Sequence, residues 1–372
     1  MPEEEVTRRD SLVFVTGNHR FRIADKGHTE VLLGLRGDGR EVAIKRIEKS
    51  EDKKIHEEMK VLREKMYNSR HVVQYVDYTE DQEFAYIAMQ LCEYNLEEYI
   101  KADNMMTMDK KRNIVKEFLM GLKELHDGKT IQRDIKPSNV LIDKDGCVRL
   151  ADFGISRTLD PDQSTIETDK AGTKCWEATE IVAKSVGWRY KRSTDIQVAG
   201  MLVYYILSGG HHPFGDDFHC QANIADGKYS LDPLMDEEAK DLVESMINPF
   251  NPKLRPRIYD ILEHPFFWDE NRHRTFLKAV GEVDDVEKHL KFTADEDLDS
   301  EMKDKSFSTW KTEVTYAKPT PANQRCPTYS ALASPQQSQP QAANHCNEPP
   351  RSLGVKGPQG VDAPQGMPTP KF

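Results

Sequence analysis

Strand-like and helical patterns occupy separate parts of this chain, and that separation limits its fold more than any other feature. Residues 12–90 alternate short β-branched and apolar runs with charged turns. Val42-Ala43-Ile44-Lys45 is one such run, and in a strand Ala43 and Lys45 share a face. One helical stretch interrupts the runs, with Ile55, Met59, Leu62 and Met66 on a single stripe. Strand-like segments return at 72–78 and 84–89. Past Gln90-Leu91-Cys92 the period changes, and Ile114, Phe118, Leu122 and Leu125 recur at helical spacing. Two short strands flank the Asp145-Gly146 turn. Residues 178–268 are largely helical between breakers at Gly209-Gly210, Pro213, Pro249 and Pro252. Runs of strands followed by runs of helices predict an α+β protein, with a small β-rich lobe and a larger helical one.

The 372 residues allow one large domain or two smaller ones. Hydrophobic residues make up 37% and the mean hydropathy is -0.71, so part of the chain is expected to stay unfolded. Residues 315–372 fit that description: they are rich in Pro, Gln, Ser and Ala, lack apolar periodicity, and read as a disordered C-terminal tail. A net charge of -11 argues against nucleic acid or an acidic membrane as a partner, so no DNA partner is expected. The six cysteines are scattered without a Cys-x-x-Cys pair, as in a reduced, cytoplasmic protein. Residues 1–10 are charged and hold no signal-peptide core. The longest apolar run, 196–207, is shorter than the roughly 20 residues that span a bilayer, and it reads as a buried helix. No membrane span is expected.

The residues that carry chemistry cluster in Gln132-Arg133-Asp134-Ile135-Lys136-Pro137-Ser138-Asn139 and in Asp152-Phe153-Gly154. Both resemble protein-kinase motifs, the catalytic loop and the metal-binding loop, and residues 18–268 as a whole resemble the protein kinase superfamily. The resemblance implies a two-lobed protein kinase fold, with an N-lobe over 18–90 and a C-lobe over 93–268 behind an N-terminal extension, 1–17. It makes ATP and Mg²⁺ the expected cofactors. By the same resemblance Asp134 takes the proton of a substrate hydroxyl, Lys136 contacts the γ-phosphate, and Asn139 and Asp152 hold Mg²⁺. Lys45 contacts the α- and β-phosphates and pairs with a helix glutamate, Glu58 by its spacing from Ile55, with Glu57 as the competitor. The bland alternatives are an edge-exposed lysine at 45 and a solvated loop lysine at 136. Arg133 is placed to pair with a phosphorylated residue, for which the loop offers Ser164, Thr165, Thr168 and Thr173. Glu180 and Arg255 are expected to form a buried ion pair, and Asp195 to cap the buried helix and tie back to the catalytic loop.

The departures from the kinase pattern concern the phosphate cradle. With Val31 in the valine place, the three glycine positions of the glycine-rich loop are Ala24, Lys26 and Thr29, and only Gly27 remains nearby. Glycines let backbone amides approach phosphates, so their loss weakens the cradle, and Lys26 would supply a compensating charge. Val31, Ala43, Gln90 and Cys92 complete the implied nucleotide site. Gln132 stands for a histidine and Thr179 for the proline of Ala-Pro-Glu.

Within the superfamily, His212-Pro213-Phe214-Gly215, Gln221-Ala222-Asn223-Ile224 and His264-Pro265-Phe266-Phe267-Trp268 are similar to the inositol-requiring sensor kinase/endoribonuclease of the unfolded-protein response. Residues 86–92 are similar to its adenine-reading hinge. Phe21-Arg22-Ile23-Ala24-Asp25 and Lys305-Ser306-Phe307-Ser308-Thr309-Trp310 are similar to the 2′,5′-oligoadenylate-dependent ribonuclease, a sister family with a nucleotide-binding pseudokinase. Lys136 and Asp152-Phe153-Gly154 lean toward the active sensor kinase. Both families continue into a nuclease domain, of which 269–314 would be a partial segment. His345 is the only histidine after Trp310, so endoribonuclease activity is expected to be absent. The expected function is a serine/threonine kinase acting on protein substrates and on itself, as a homodimer or beside a full-length relative. A dimerising pseudokinase is the alternative, and an endoribonuclease the third reading.

Overall fold

Seven strands build the first lobe: β1 (Val6–Arg9), β2 (Leu12–Val15), β3 (Arg22–Lys26), β4 (Thr29–Arg36), β5 (Glu41–Glu48), β6 (Tyr75–Glu80) and β7 (Phe84–Gln90). The computed structural model describes residues 6–281 except 18, 27, 66–68, 104, 161, 185 and 217. The tail and most of the nuclease-like segment expected from the sequence lie outside the described residues. The strands run β1-β2-β4-β5-β7-β6, with β3 on the same edge of β4 as β2. Residues 6–15 are therefore part of the sheet and not an extension ahead of it. Leu12 faces Arg36 and Phe14 faces Gly34 in the β2–β4 pair, and both side chains are buried.

Alternation along β5 sorts the sheet's two faces. Val42 and Ile44 join Leu12, Phe14, Leu32, Tyr86 and Ala88 in a small core on one face. Ile47 joins Ala85, Ile87 and Met89 in the larger core that continues into the second lobe. The helix after β5, α1 (Asp52–Met59), runs on as a π-helical turn over Lys60–Lys65. The stripe expected from the sequence faces the core: Ile55 and Leu62 are buried, Met59 is partly buried against the same core, and Met66 lies outside the described residues. Glu58 and Val61 are buried beside them.

The second lobe contains β8 (Tyr94–Asn95), α2 (Leu96–Ala102), α3 (Met108–Asp127), β9 (Thr130–Ile131), β10 (Val140–Ile142), β11 (Val148–Leu150), β12 (Arg157–Thr158) and β13 (Ile166–Glu167). It continues with α4 (Thr179–Val182), β14 (Arg189–Tyr190), α5 (Arg192–Ser208), α6 (Cys220–Asp226), α7 (Glu237–Ile247), α8 (Ile258–Leu262) and α9 (Glu270–Gly281). Helix α3 starts at Thr107, whose hydroxyl accepts from Lys110 N, a cap worth about 1 kcal/mol. It buries Ile114, Val115, Phe118, Leu119, Leu122 and Leu125, as the helical spacing predicts. Helix α5 is buried nearly all round and stops at Gly209, whose φ of 80° closes the helix. Among the described residues no helix is long and apolar enough to cross a membrane.

The lobes are pinned together next to Asp152-Phe153-Gly154. Val73 N donates to Leu150 O at 2.9 Å, and Leu150 N donates to His71 O at 2.8 Å. This use of the backbone explains why the strand expected from residue 72 begins only at Tyr75. Gly121 on α3 makes the approach possible, since a Cβ there would stand 3.0 Å from His71 O.

Candidate active site

Strand β5 and helix α1 bring Lys45 and Glu58 together in the cleft between the lobes. Lys45 Nζ donates to Glu58 Oε2 at 2.5 Å and to Asp152 Oδ1 at 2.8 Å. Glu58, not Glu57, is the partner, and both members of the pair are buried. Burial pulls the Lys45 ammonium down, but the Asp152 and Glu58 carboxylates outweigh it and hold it above the ordinary lysine value. Replacing Glu58 by alanine leaves Lys45 buried with Asp152 alone and should destabilise the protein by about 3 kcal/mol in urea unfolding.

Residues 132–139 and Thr173 close a polar ring around Asp134. Lys136 Nζ donates to Asp134 Oδ2 at 2.5 Å and Asn139 Nδ2 donates to the same oxygen at 2.8 Å. Thr173 Oγ1 donates to Asp134 Oδ1 at 2.6 Å and lies 2.5 Å from Lys136 Nζ. Sequence reasoning considered Thr173 only as a phosphate acceptor; the structure makes it a ligand of the aspartate. No periodic signal links positions 134 and 173, although Gly172-Thr173 stands in the segment that leads to Glu180.

Helix α5 holds this loop from below. Asp195 Oδ2 accepts from Gln132 N at 2.9 Å, Oδ1 accepts from Arg133 N at 3.1 Å, and His126 Nε2 lies 3.1 Å from Oδ2. Asp195 ties back to the loop as expected but does not cap the helix. The capping position is Lys191, whose N–H donates to Thr194 Oγ1. Gln132, in the histidine place, donates through Nε2 to Ala151 O at 3.1 Å and Asp152 O at 3.2 Å, which links the two functional loops.

Arg133 donates to Ile155 O at 3.2 Å and Asp169 O at 3.0 Å and stacks on Tyr190, 4.2 Å from the ring centroid. Arg255 and Glu180 form the expected pair as a bidentate fork with both bonds at 2.8 Å.

The positions expected to hold the nucleotide line up across three strands. Ala24 pairs with Val31 and Val31 with Lys45, while Ala43 faces Leu33. Lys26 pairs with Thr29 in the β3–β4 register, and none of the three glycine places, 24, 26 and 29, is a glycine. Gln90 Nε2 donates to Asp143 Oδ2 at 3.2 Å. Burial, with Asp143 adding to it, pushes the Cys92 thiol up to about 12. At pH 8 only about one molecule in ten thousand then carries the thiolate, so Cys92 should alkylate with iodoacetamide about a thousandfold more slowly than a free thiol, read by mass spectrometry.

Asn139 uses its amide nitrogen on Asp134, so its Oδ1 is the atom left to bind a cation. With the Asp152 carboxylate this gives two hard oxygen donors. Among the described residues no group of three or more His, Cys, Asp or Glu is arranged to hold a metal ion by itself. Mg²⁺, which takes one or two protein oxygens together with substrate phosphates, fits that donor set.

A two-lobed fold with this cleft defines a protein kinase. The protein kinase domain family matches residues 27–267, and the chain belongs to it. Among curated proteins it is similar to the serine/threonine-protein kinase/endoribonuclease ire-1 of Caenorhabditis elegans, 36% identical over 266 residues, covering 68% of this chain and 27% of the relative. The serine/threonine-protein kinase/endoribonuclease IRE2 of Homo sapiens is 34% identical over 260 residues, covering 66% and 28%. The sensor for unfolded proteins in the ER ire1 of Schizosaccharomyces pombe is 31% identical over 295 residues, covering 70% and 27%. The kinship expected from the sequence is borne out, and the chain spans about a quarter of the length of these relatives.

Proposed function

We propose that this chain transfers the γ-phosphoryl group of Mg²⁺-ATP to serine and threonine hydroxyls of proteins, its own included. The ring around Asp134 carries the reading: a buried carboxylate oriented by a lysine, an amide and a hydroxyl. Asp134 accepts the proton as the substrate oxygen attacks the γ-phosphorus; the new O–P bond forms, the bond to the β-phosphate oxygen breaks, and ADP leaves. Lys136 neutralises charge on the transferred group, and Lys45, held by Glu58, does so for the α- and β-phosphates. Ala24, Lys26, Val31, Ala43, Gln90 and Cys92 form the walls around the nucleotide. Asn139 and Asp152 would hold Mg²⁺, which would supply charge neutralisation for the phosphates.

Phosphoamino-acid analysis of labelled product tests the substrate class. Phosphoserine and phosphothreonine are expected; phosphotyrosine as the main product would contradict the reading. We assign the kinase unit from β1 to residue 268. On the scattered cysteines we place the protein in the cytoplasm, and on family likeness alone we pair it with itself or a full-length relative.

One observation favours a second reading. A hairpin with side chains at 24, 26 and 29 suits a module that binds nucleotide without transferring phosphate. Retained nucleotide binding without phosphoryl transfer would select it.

A further inference from the structure

The segment after Thr173 carries a buried carboxylate beside the phosphoacceptor position. Thr173 is bonded to Asp134, so residues 172–178 run past the point where a substrate hydroxyl must sit. Glu177 in this segment has a side chain only 6% exposed. Gln221 on α6 donates to Glu177 Oε2 at 3.0 Å and accepts from Cys175 N at 3.0 Å, which fixes the segment. Lys170 Nζ reaches Glu177 Oε1 at 3.1 Å from a side chain 41% exposed. The same Oε1 lies 4.0 Å from where a Cβ on Gly172 would be, one residue from Thr173.

The pair is asymmetric. Lys170 has water as an alternative partner and regains rotamer freedom on leaving. The Glu177 carboxylate is held in place and is costly to leave without a cation. A cation from an incoming peptide can therefore replace Lys170 at small cost.

We propose that Glu177 selects a lysine or arginine within two residues of the phosphoacceptor, and that Lys170 keeps its place in the free protein. This rests on the kinase reading and deepens it, naming basic peptides as the preferred substrate class. The net charge of -11 adds long-range attraction for such peptides.

The test measures kcat/KM of the full chain on serine peptides that differ only in Lys, Gln or Glu at each of the two positions on either side of the serine. At one of these positions lysine should exceed glutamine by about tenfold. Glu177→Gln should bring that ratio close to one, and Lys170→Ala should lower KM for the basic peptide. The charge-swapped double variant Lys170→Glu/Glu177→Lys keeps an ion pair and should turn the preference toward the Glu peptide, which a merely structural role does not predict. Equal turnover of all peptides, or a basic preference that survives Glu177→Gln, overturns the proposal. Absence of turnover on every peptide counts against the kinase reading, and fluorescence anisotropy of labelled peptides then decides this one. Tighter binding of the Lys peptide that is lost in Glu177→Gln supports it, and equal binding overturns it.

Discussion

Asp134→Asn should lower the rate of phosphoryl transfer by about 10²- to 10⁴-fold while ATP affinity stays within about twofold. The amide occupies nearly the same volume but cannot accept a proton at neutral pH. Its oxygen can still accept from Lys136 and Asn139 while its N–H₂ faces the Thr173 hydroxyl, which can accept, so the ring keeps its hydrogen bonds and loses its charge. The fold should survive, because the loop is also held by Asp195 through Gln132 N and Arg133 N. Single-turnover kinetics beside a nucleotide-affinity measurement separates the two effects. A variant within tenfold of the parent would show that Asp134 is not the base.

Arg255→Leu should cost about 3–5 kcal/mol of stability. The Arg255 side chain is fully buried and donates to both Glu180 oxygens, to Ser193 O and to Gln197 Oε1. Leucine fills much of the space but leaves the Glu180 carboxylate with Thr194 as its remaining hydrogen-bond donor on that side. In a domain of this size the loss should lower Tm by about 10 °C in calorimetry. Arg255→Lys should recover only part of it, because an ammonium cannot reproduce the planar fork. A shift under about 2 °C for Arg255→Leu would mean that the pair contributes little.

The fold was legible where a local period carried it. Alternation placed Ala43 and Lys45 on one strand face, and helical spacing chose Glu58 over Glu57. Strand β1 was harder to read: Val6–Arg9 has four residues, and it is held by pairing with its neighbour and not by an apolar face of its own. The π turn over Lys60–Lys65 also has no signature in a helical stripe. In the candidate site, Asp134, Lys136, Asn139 and Asp152 were visible because they sit in two short runs, and Lys45 because it ends a third, Val42-Ala43-Ile44-Lys45. Thr173 and Glu177 were not, since their roles arise from contacts 39 and 44 residues away. Asp195 was seen as a tie to the loop, but its place inside the helix's first turn, and not at the cap, depends on where the helix starts.

The central claim is that this cleft transfers phosphate, despite side chains at 24, 26 and 29 in the cradle. Incorporation of ³²P from labelled ATP into the purified chain and a serine peptide, with Mg²⁺ and with chelator, tests it most directly, beside the nucleotide-induced shift in Tm as a check on binding. The account predicts Mg²⁺-dependent incorporation into both. No incorporation, with the thermal shift intact, would contradict it and leave a nucleotide-binding module without transferase activity.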